Sequence, residues 1–150
     1  MSESIIYRFL EVADSHNSNV RSDIDLLLKR LAGPQASLSL DDFVVVAHKS
    51  VWRVADEESS GAIVGMVIMS LNHLPSGSFG QVSDLVVRPD HLGEGIERKL
   101  LEDLIALAKS GKKIHCLTAA LKVAHYAAPV FKSLGFVRDE TGNLRLVLSP

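Results

Sequence analysis

The sequence predicts a single mixed α/β domain spanning residues 1–150. Short runs of β-branched and apolar residues alternate along the chain with longer segments whose apolar residues recur at helical spacing. With 150 residues, of which 47% are hydrophobic, the chain is long enough to bury one sizeable core. No repeat or linker divides it, so one domain is the simplest interpretation.

The chain opens with a predicted strand and a predicted helix. Ile5–Val12 alternates and is rich in β-forming residues, which predicts a strand. Asn17, Ser18 and Asn19 offer N-caps for a helix that Gly33-Pro34 ends. The apolar positions of this helix follow helical spacing: Val20, Ile24, Leu27, Leu28 and Leu31.

The next segment, Leu38–His48, carries two conflicting signals. Ser39 with Asp42 three residues later resembles a capping box, which indicates a short helix. The run Phe43–Val46 indicates a strand instead. We favour the helix.

Three strands and a long helix follow. Val51–Ala55 and Ala62–Leu71 are predicted to form a hairpin around the polar turn Asp56–Gly61. After a turn at Leu74–Ser78 comes the strand Phe79–Val87, whose end is nearly all apolar and is therefore expected to be buried on both faces. Gly95–Ser110 has the clearest helical pattern, with an apolar stripe at Ile96, Leu100, Leu104 and Ala108.

The last third is predicted to contain three strands and one helix. Ile114–Leu117 is a short strand, and Val123–Leu134 is a helix that Pro129 interrupts. The strands Phe136–Arg138 and Leu144–Leu148 flank a polar turn.

Composition narrows the possible functions. The net charge of −2 predicts no general attraction to nucleic acid or to an anionic membrane. The longest apolar runs, such as Ala62–Met69, are too short to span a bilayer, and the N-terminus lacks the pattern of a signal peptide. The single cysteine, Cys116, fits a cytoplasmic protein and is expected to be a small buried strand residue. Six scattered histidines predict no metal site.

The strongest functional signal is the stretch from Asp84 to Leu101. It predicts an apolar strand, a turn at Pro89, a loop with Gly93 and Gly95, and a helix. The first N–H groups of a helix lack intrahelical partners, and the helix dipole favours negative charge there. Glycines allow a ligand to approach the main chain closely. Such a junction is typical of a phosphate-binding site.

These residues resemble a known family. Val87-Arg88-Pro89, the glycine-containing loop that opens the helix, and Leu134-Gly135-Phe136 are together similar to the GCN5-related N-acetyltransferase (GNAT) superfamily. The similarity is sharpest from Val82 to Phe136. It implies one GNAT-like domain, with a mixed, mostly antiparallel sheet of six to seven strands flanked by about four helices.

The resemblance also implies an activity. GNAT members transfer an acetyl group from acetyl-coenzyme A (acetyl-CoA), used as cosubstrate, directly to a primary amine, here one of a small molecule or a peptide. The strand before the loop would bind the pantetheine arm, and the loop would bind the pyrophosphate. The implied cofactor-binding residues are Leu85, Val86, Val87, Leu92, Gly93, Glu94, Gly95, Ile96 and Glu97.

The loop departs from the family pattern and is degenerate. Leu92 replaces an Arg or Gln, Glu97 replaces a Gly or Ala, and Glu94 stands where the loop is often basic or neutral. Two orientations of Glu97 remain open. Beside a dianionic ligand its charge would cost about 1 kcal/mol or more. Pointing outward, a carboxylate in the first turn favours the helix dipole.

The resemblance suggests two catalytic residues. Asp84 matches an acidic position of some relatives and is expected to act as general base or amine binder. The Tyr that often protonates the departing thiolate is replaced here by Phe131, so Tyr126 is the substitute candidate. Gln81 and His125 are further alternatives for the base.

The amine acceptor is expected between the first helices and the last hairpin. Loops His16–Asn19 and Asn72–Ser78 would shape its site. The departures at Leu92, Glu97 and Phe131 support an alternative, a catalytically degenerate GNAT-fold protein that binds a ligand or partner. The apolar segment Leu144–Leu148 is a candidate sheet edge for a homodimer.

Overall fold

The structure, a computed structural model, describes residues 4–111, 114–120 and 127–148. It confirms the predicted mixed α/β fold, with one sheet and helices on both faces. The strands are β1 Ile5–Phe9, β2 Ser50–Glu57, β3 Ile63–Leu74, β4 Gly77–Val87, β5 Ile114–Ala119, β6 Val137–Arg138 and β7 Leu144–Val147. The α-helices are α1 Ser18–Ala32, α2 Leu40–Lys49, α3 Ile96–Ser110 and α4 Ala128–Ser133, and short 3-10 helices occupy Val12–His16 and Pro89–His91.

The seven strands form one mixed sheet in the order β1-β2-β3-β4-β5-β7-β6. Neighbouring strands are antiparallel except β4 and β5, which are parallel. A parallel pair needs a crossover connection, and α3 provides it. The loop that enters α3 therefore lies at the end of β4.

The sheet separates two apolar cores. On one face the cluster contains Leu100 and Leu104 of α3 and Phe131 of α4. On the other face it contains Ile24 of α1 and Phe43 of α2. None of these five side chains is more than 1% exposed, so both faces are fully covered where the helices dock.

Side chains cap the first two helices. The Asn17 side chain accepts hydrogen bonds from the N–H groups of Asn19 and Val20 at the start of α1. The Ser39 hydroxyl accepts the N–H of Asp42 at 3.1 Å at the start of α2. The helix favoured for the ambiguous segment is thus confirmed, and the capping signal outweighed β-propensity.

Two boundaries differ from the prediction at the ends of strands. β1 ends at Phe9 rather than Val12, because Val12 already begins a 3-10 helix. The Asp14 carboxylate accepts the Glu11 N–H at 2.7 Å and fixes this turn. β2 runs on to Glu57, which was expected in a turn, and pairs there with Ile5.

The C-terminal segment corrects one further expectation. Pro129 lies in the first turn of α4, where proline is tolerated, and residues 123–126 of the predicted helix lie outside the described residues. β7 is not the sheet edge, because β6 pairs with its first half at Arg145 and Leu144. None of the described helices combines the length and apolar character needed to cross a bilayer.

Candidate active site

A bulge in β4 surrounds Asp84. The register against β3 moves from Met66–Val86 to Ile68–Ser83, so β4 carries one extra residue. Among the described non-glycine residues, Asp84 alone has a positive φ, at 54°. Bulges often re-aim a side chain next to a binding site.

β4 and β5 stop pairing at this bulge. Their registered pairs end at Val82–Ala119, whereas the pairs between β4 and β3 continue to Val87. Beyond Val82, β4 thus has no registered partner on its β5 side within the described residues. The side chains of Leu85, Val86 and Val87 are buried, which confirms burial on both faces of the strand end.

The loop of residues 92–95, called the glycine loop below, is open at the start of α3. Gly93 and Gly95 have φ of 80° and 82°, and a Cβ at either would meet nothing within 4 Å. The N–H groups of Gly93 and Gly95 donate no hydrogen bond to the described part of the chain. Leu92 is 43% exposed. The loop therefore presents free main-chain donors to an unfilled space, which suits a pyrophosphate.

Packing holds the start of α3 against the sheet. Ile96 is 1% exposed. A Cβ at Gly65 of β3 would lie 3.1 Å from Ile96 and 3.5 Å from Leu100. The absence of a side chain at Gly65 is therefore what lets α3 approach β3 this closely.

Glu97 lies toward the first strand of the sheet. Burial raises the pKa of Tyr7 in β1, and the nearby carboxylates of Asp103 and Glu97 raise it further. Glu97 Oε1 is buried and has no hydrogen-bond partner among the described residues. Of the two orientations left open by the sequence, a fully exposed outward carboxylate does not fit, because Oε1 is buried.

The pKa of Asp84 is shifted in the direction that suits a general base. Burial raises its pKa, and a hydrogen bond with Ser83 partly opposes that shift. A carboxylate with a raised pKa accepts a proton more readily near neutral pH. The structure therefore places a candidate proton acceptor on β4, at the bulge where pairing with β5 ends.

The other residues singled out from the sequence lie at other positions than the β4 bulge or outside the described residues. Phe131 is fully buried and packs edge-on against Phe136, with 5.1 Å between the ring centroids, so it is a core residue. Gln81 is exposed on β4, and Cys116 is buried in β5 as expected. Tyr126 and His125 lie outside the described residues.

The two loops expected to shape the acceptor site line separate cavities. Asn17 and Asn19 line a polar cavity of about 290 Å³ beside α1. The hairpin at Gly77 lines a smaller one of about 180 Å³ with His115 of β5. A third, mostly apolar cavity of about 320 Å³ lies between α1 and Pro89.

Sequence reasoning missed two polar residues of this site, His91 and Glu57. His91 is 5% exposed, and its ring contacts Glu57 of β2 and Glu94 of the glycine loop. The spacing of His91 and Glu94, three residues apart, was a usable signal. Nothing local pointed to Glu57, because the contact spans 34 residues. Within the described residues, no group of three His, Cys, Asp or Glu side chains is arranged to hold a metal.

Comparison with known proteins assigns the family. Residues 47–138 match the family model described as "Acetyltransferase (GNAT) domain". This region is more than half of the chain and includes β2–β4, the glycine loop and α3. The chain therefore belongs to the GNAT acetyltransferase family, which uses acetyl-CoA as cosubstrate.

Solved structures agree with the fold. A GNAT-family acetyltransferase from Streptococcus pneumoniae superposes with a TM-score of 0.76 and 15% identity over 97% of this chain and all of that one. YncA, a putative acetyltransferase from Salmonella typhimurium with acetyl-CoA, superposes with a TM-score of 0.68 and 20% identity, over 98% of this chain and 95% of that one. Glucosamine-6-phosphate N-acetyltransferase from Arabidopsis thaliana superposes with a TM-score of 0.65 and 21% identity, over 85% of this chain and 90% of that one. No curated protein sequence is significantly similar to the chain.

Proposed function

We propose that this GNAT-family protein is an N-acetyltransferase that transfers the acetyl group of acetyl-CoA directly to a primary amine of a small molecule or peptide. The observation that carries the proposal is the open start of α3. Gly93 and Gly95 adopt left-handed backbone conformations and face unfilled space, and their N–H groups are available. A pyrophosphate fits there because it needs several converging main-chain donors.

The residues present fit the rest of the cosubstrate. Leu92–Glu97 would hold the pyrophosphate, and the main chain of Leu85, Val86 and Val87 would run beside the pantetheine arm where β4 no longer pairs with β5. Acetyl-CoA supplies an activated thioester. The protein's contribution is to hold that thioester close to the amine and to exclude water from it.

Asp84 is the proposed general base. An ammonium group must lose a proton before its nitrogen can form the new C–N bond, while the C–S bond breaks and the thiolate leaves. The raised pKa of Asp84 suits it to take that proton, directly or through a water molecule. Phe131 cannot donate a proton to the thiolate, so Tyr126 remains the proposed acid.

Calorimetry with acetyl-CoA tests the binding half of the proposal. We expect micromolar affinity in the wild type and a loss of at least about 100-fold in Gly95→Trp, whose indole fills the space in front of the loop. Gly142→Trp is the matched control, since Gly142 has a similar φ of 89° and equally open surroundings in the β6–β7 turn. No wild-type binding at millimolar acetyl-CoA would overturn the proposal.

Release of the CoA thiol tests the catalytic half, with amino sugars, polyamines and peptide N-termini as acceptors. We expect Asp84→Asn to lower kcat by about 10²- to 10⁴-fold and to leave acetyl-CoA affinity unchanged. Asp41→Asn, at an exposed position in the first turn of α2, is the control and should match the wild type. Wild-type kcat in Asp84→Asn would remove this residue from the mechanism.

The acceptor class we propose first is a small amine. One similar structure is a glucosamine-6-phosphate N-acetyltransferase, and the cavities beside α1 are of small-molecule size. Faster turnover of peptide N-termini than of every small amine in the same assay would favour a peptide acceptor instead.

A second candidate function is ligand binding without turnover. Phe131 is buried in the core, and Leu92 and Glu97 stand in place of the family's usual residues. Acetyl-CoA binding with no thiol release for any amine would favour this alternative.

We also propose a homodimer formed through the C-terminal hairpin. Val137 of β6 and Val147 of β7 are 65% and 62% exposed, and β6 is a two-residue strand at the sheet edge. Light scattering after size exclusion should give twice the monomer mass at micromolar concentration. A monomer would exclude the dimer.

A further inference from the structure

His91 is buried between two carboxylates at the entrance to the glycine loop. It ends the short helix Pro89–His91 and is 5% exposed, although Asp90 and Leu92 on either side are exposed. Its Nε2 lies 2.7 Å from Glu57 Oε2, and its Nδ1 lies 3.1 Å from Glu94 Oε1. One imidazole thus links the end of β2 to the glycine loop.

The hydrogen-bond donors and acceptors around His91 bear on the protonation state of its ring. A carboxylate only accepts hydrogen bonds, whereas a neutral imidazole has one N–H donor and one acceptor nitrogen. Two ionised carboxylates are satisfied together only when both ring nitrogens carry protons. The arrangement of Glu57, His91 and Glu94 therefore fits an imidazolium ion between two ionised carboxylates.

The surrounding charges are consistent with that state. Burial by itself lowers the pKa of His91, but hydrogen bonds to Glu57 and Glu94 outweigh it and the net shift is upward. Hydrogen bonds from Ser60 and His91 hold the pKa of Glu57 below its usual range. Glu57 therefore stays ionised opposite the ring.

Arg88 completes the set of charges around the ring. It contacts Glu57 at 3.2 Å and pairs with Asp90 through two hydrogen bonds of 2.7 and 2.8 Å, and Asp23 of α1 also acts on it electrostatically. Asp90 is thus neutralised by Arg88. Glu94 is left with His91 as its counter-ion, because no other ion pair of Glu94 occurs within the described residues.

We propose that His91, with both ring nitrogens protonated, is a positioning residue that holds the Glu94 carboxylate against Glu57 and so keeps the glycine loop open to the pyrophosphate of acetyl-CoA. The inference rests on the proposed function. Glu94 lies between Gly93 and Gly95, so the glycine loop itself carries a negative charge next in sequence to the free N–H donors. His91 both neutralises that charge and fixes where it lies.

Deprotonation of His91 should weaken cosubstrate binding. A neutral ring keeps one N–H, and the shorter contact with Glu57 is the one expected to persist. Its other nitrogen then presents a lone pair to Glu94, so this carboxylate is released beside a dianionic ligand. We expect an affinity loss of about tenfold, or about 1.4 kcal/mol.

The binding test is calorimetry of acetyl-CoA with the full chain from about pH 6 to about pH 9, on either side of an ordinary or raised histidine pKa. In the wild type the Kd should rise about tenfold across this range. In Glu94→Gln the Kd should be flat and no weaker than the wild type at low pH. His91→Gln should bind about tenfold more weakly than the wild type at low pH.

The double variant His91→Gln/Glu94→Gln separates positioning from a purely structural role. Removing the Glu94 charge should restore the affinity that His91→Gln loses, because the defect is that charge. His48→Gln, an exposed histidine at the end of α2, is the control and should keep the wild-type pH profile. Equal loss in the single His91 variant and the double variant would overturn the proposal.

A measurement without acetyl-CoA tests the positioning role of His91 separately from the proposed acetyltransferase function. Long-range ¹H–¹⁵N NMR of the unliganded protein should show both His91 nitrogens protonated at neutral pH. A neutral His91 there would overturn the positioning role even if acetyl-CoA binds. If the wild type and Glu94→Gln both fail to bind acetyl-CoA, the proposed function fails and the positioning role with it, whatever the NMR result.

Discussion

The N-termini of α2 and α3 are held in place by different means. The Ser39 hydroxyl accepts a main-chain N–H at the start of α2, whereas α3 follows Gly95 and has no side-chain cap among the described residues. The start of α3 is fixed instead by Ile96, which packs on Gly65, and by the contact of His91 with Glu94. A helix terminus anchored from its side and from its preceding loop keeps its N–H groups free for a ligand.

The largest effect should follow from removing the packing under α3. Ile96→Ala should lower the free energy of unfolding by about 2–5 kcal/mol, because Ile96 is buried and its loss leaves a cavity. Urea denaturation measures this change. Leu107→Ala, at a 39% exposed position of the same helix, should change stability by less than about 0.5 kcal/mol. Equal losses in both variants would contradict the importance of this packing.

A smaller effect should follow from lifting α3 away from the sheet. Gly65→Val places methyl groups where a Cβ alone already comes within 3.3 Å of Val87 and closer to Ile96. Overpacking should cost about 1–3 kcal/mol and weaken acetyl-CoA binding by displacing the glycine loop. Gly111→Val, with open surroundings at the far end of α3, is the control. Unchanged affinity in Gly65→Val would show that the loop does not depend on this contact.

Removing the cap of α2 should cost less and should leave binding unaffected. Ser39→Ala should lower the free energy of unfolding by about 1 kcal/mol, because the Asp42 N–H loses its acceptor. The Kd for acetyl-CoA should stay at the wild-type value. Ser22→Ala, on the exposed face of α1, controls for the loss of a hydroxyl. Weaker binding in Ser39→Ala would mean that the two termini are coupled.

The smallest effect should be a pH dependence of stability that comes from His91, before α3, and not from the cap of α2. The pKa of His91 is raised in the folded state, so its contribution is fully present below its unfolded pKa and is lost as pH rises through the folded pKa. The melting temperature of the wild type should thus fall over that window, above about pH 6 where carboxylates remain ionised. His91→Gln should flatten this slope, whereas Ser39→Ala should keep it. An unchanged slope in His91→Gln would contradict the assignment.

The sequence by itself determined the elements whose signals are local. The apolar stripe of α3, the capping residue Ser39 and the paired glycines at positions 93 and 95 lie within a few residues of what they specify. A helical period or a cap is encoded between residues three or four positions apart, so it survives without knowledge of the rest of the chain. The family similarity rested on the same local signals.

Tertiary structure alone decided which distant residues meet. The bulge that gives Asp84 its φ of 54° arises from the pairing of β4 with β3, and the contact of His91 with Glu57 arises from the extension of β2. The electrostatic effect of Glu97 on Tyr7 likewise depends on how α3 lies on the sheet. Sheet register and helix docking set these contacts, and both minimise the exposure of the whole core rather than that of any one segment.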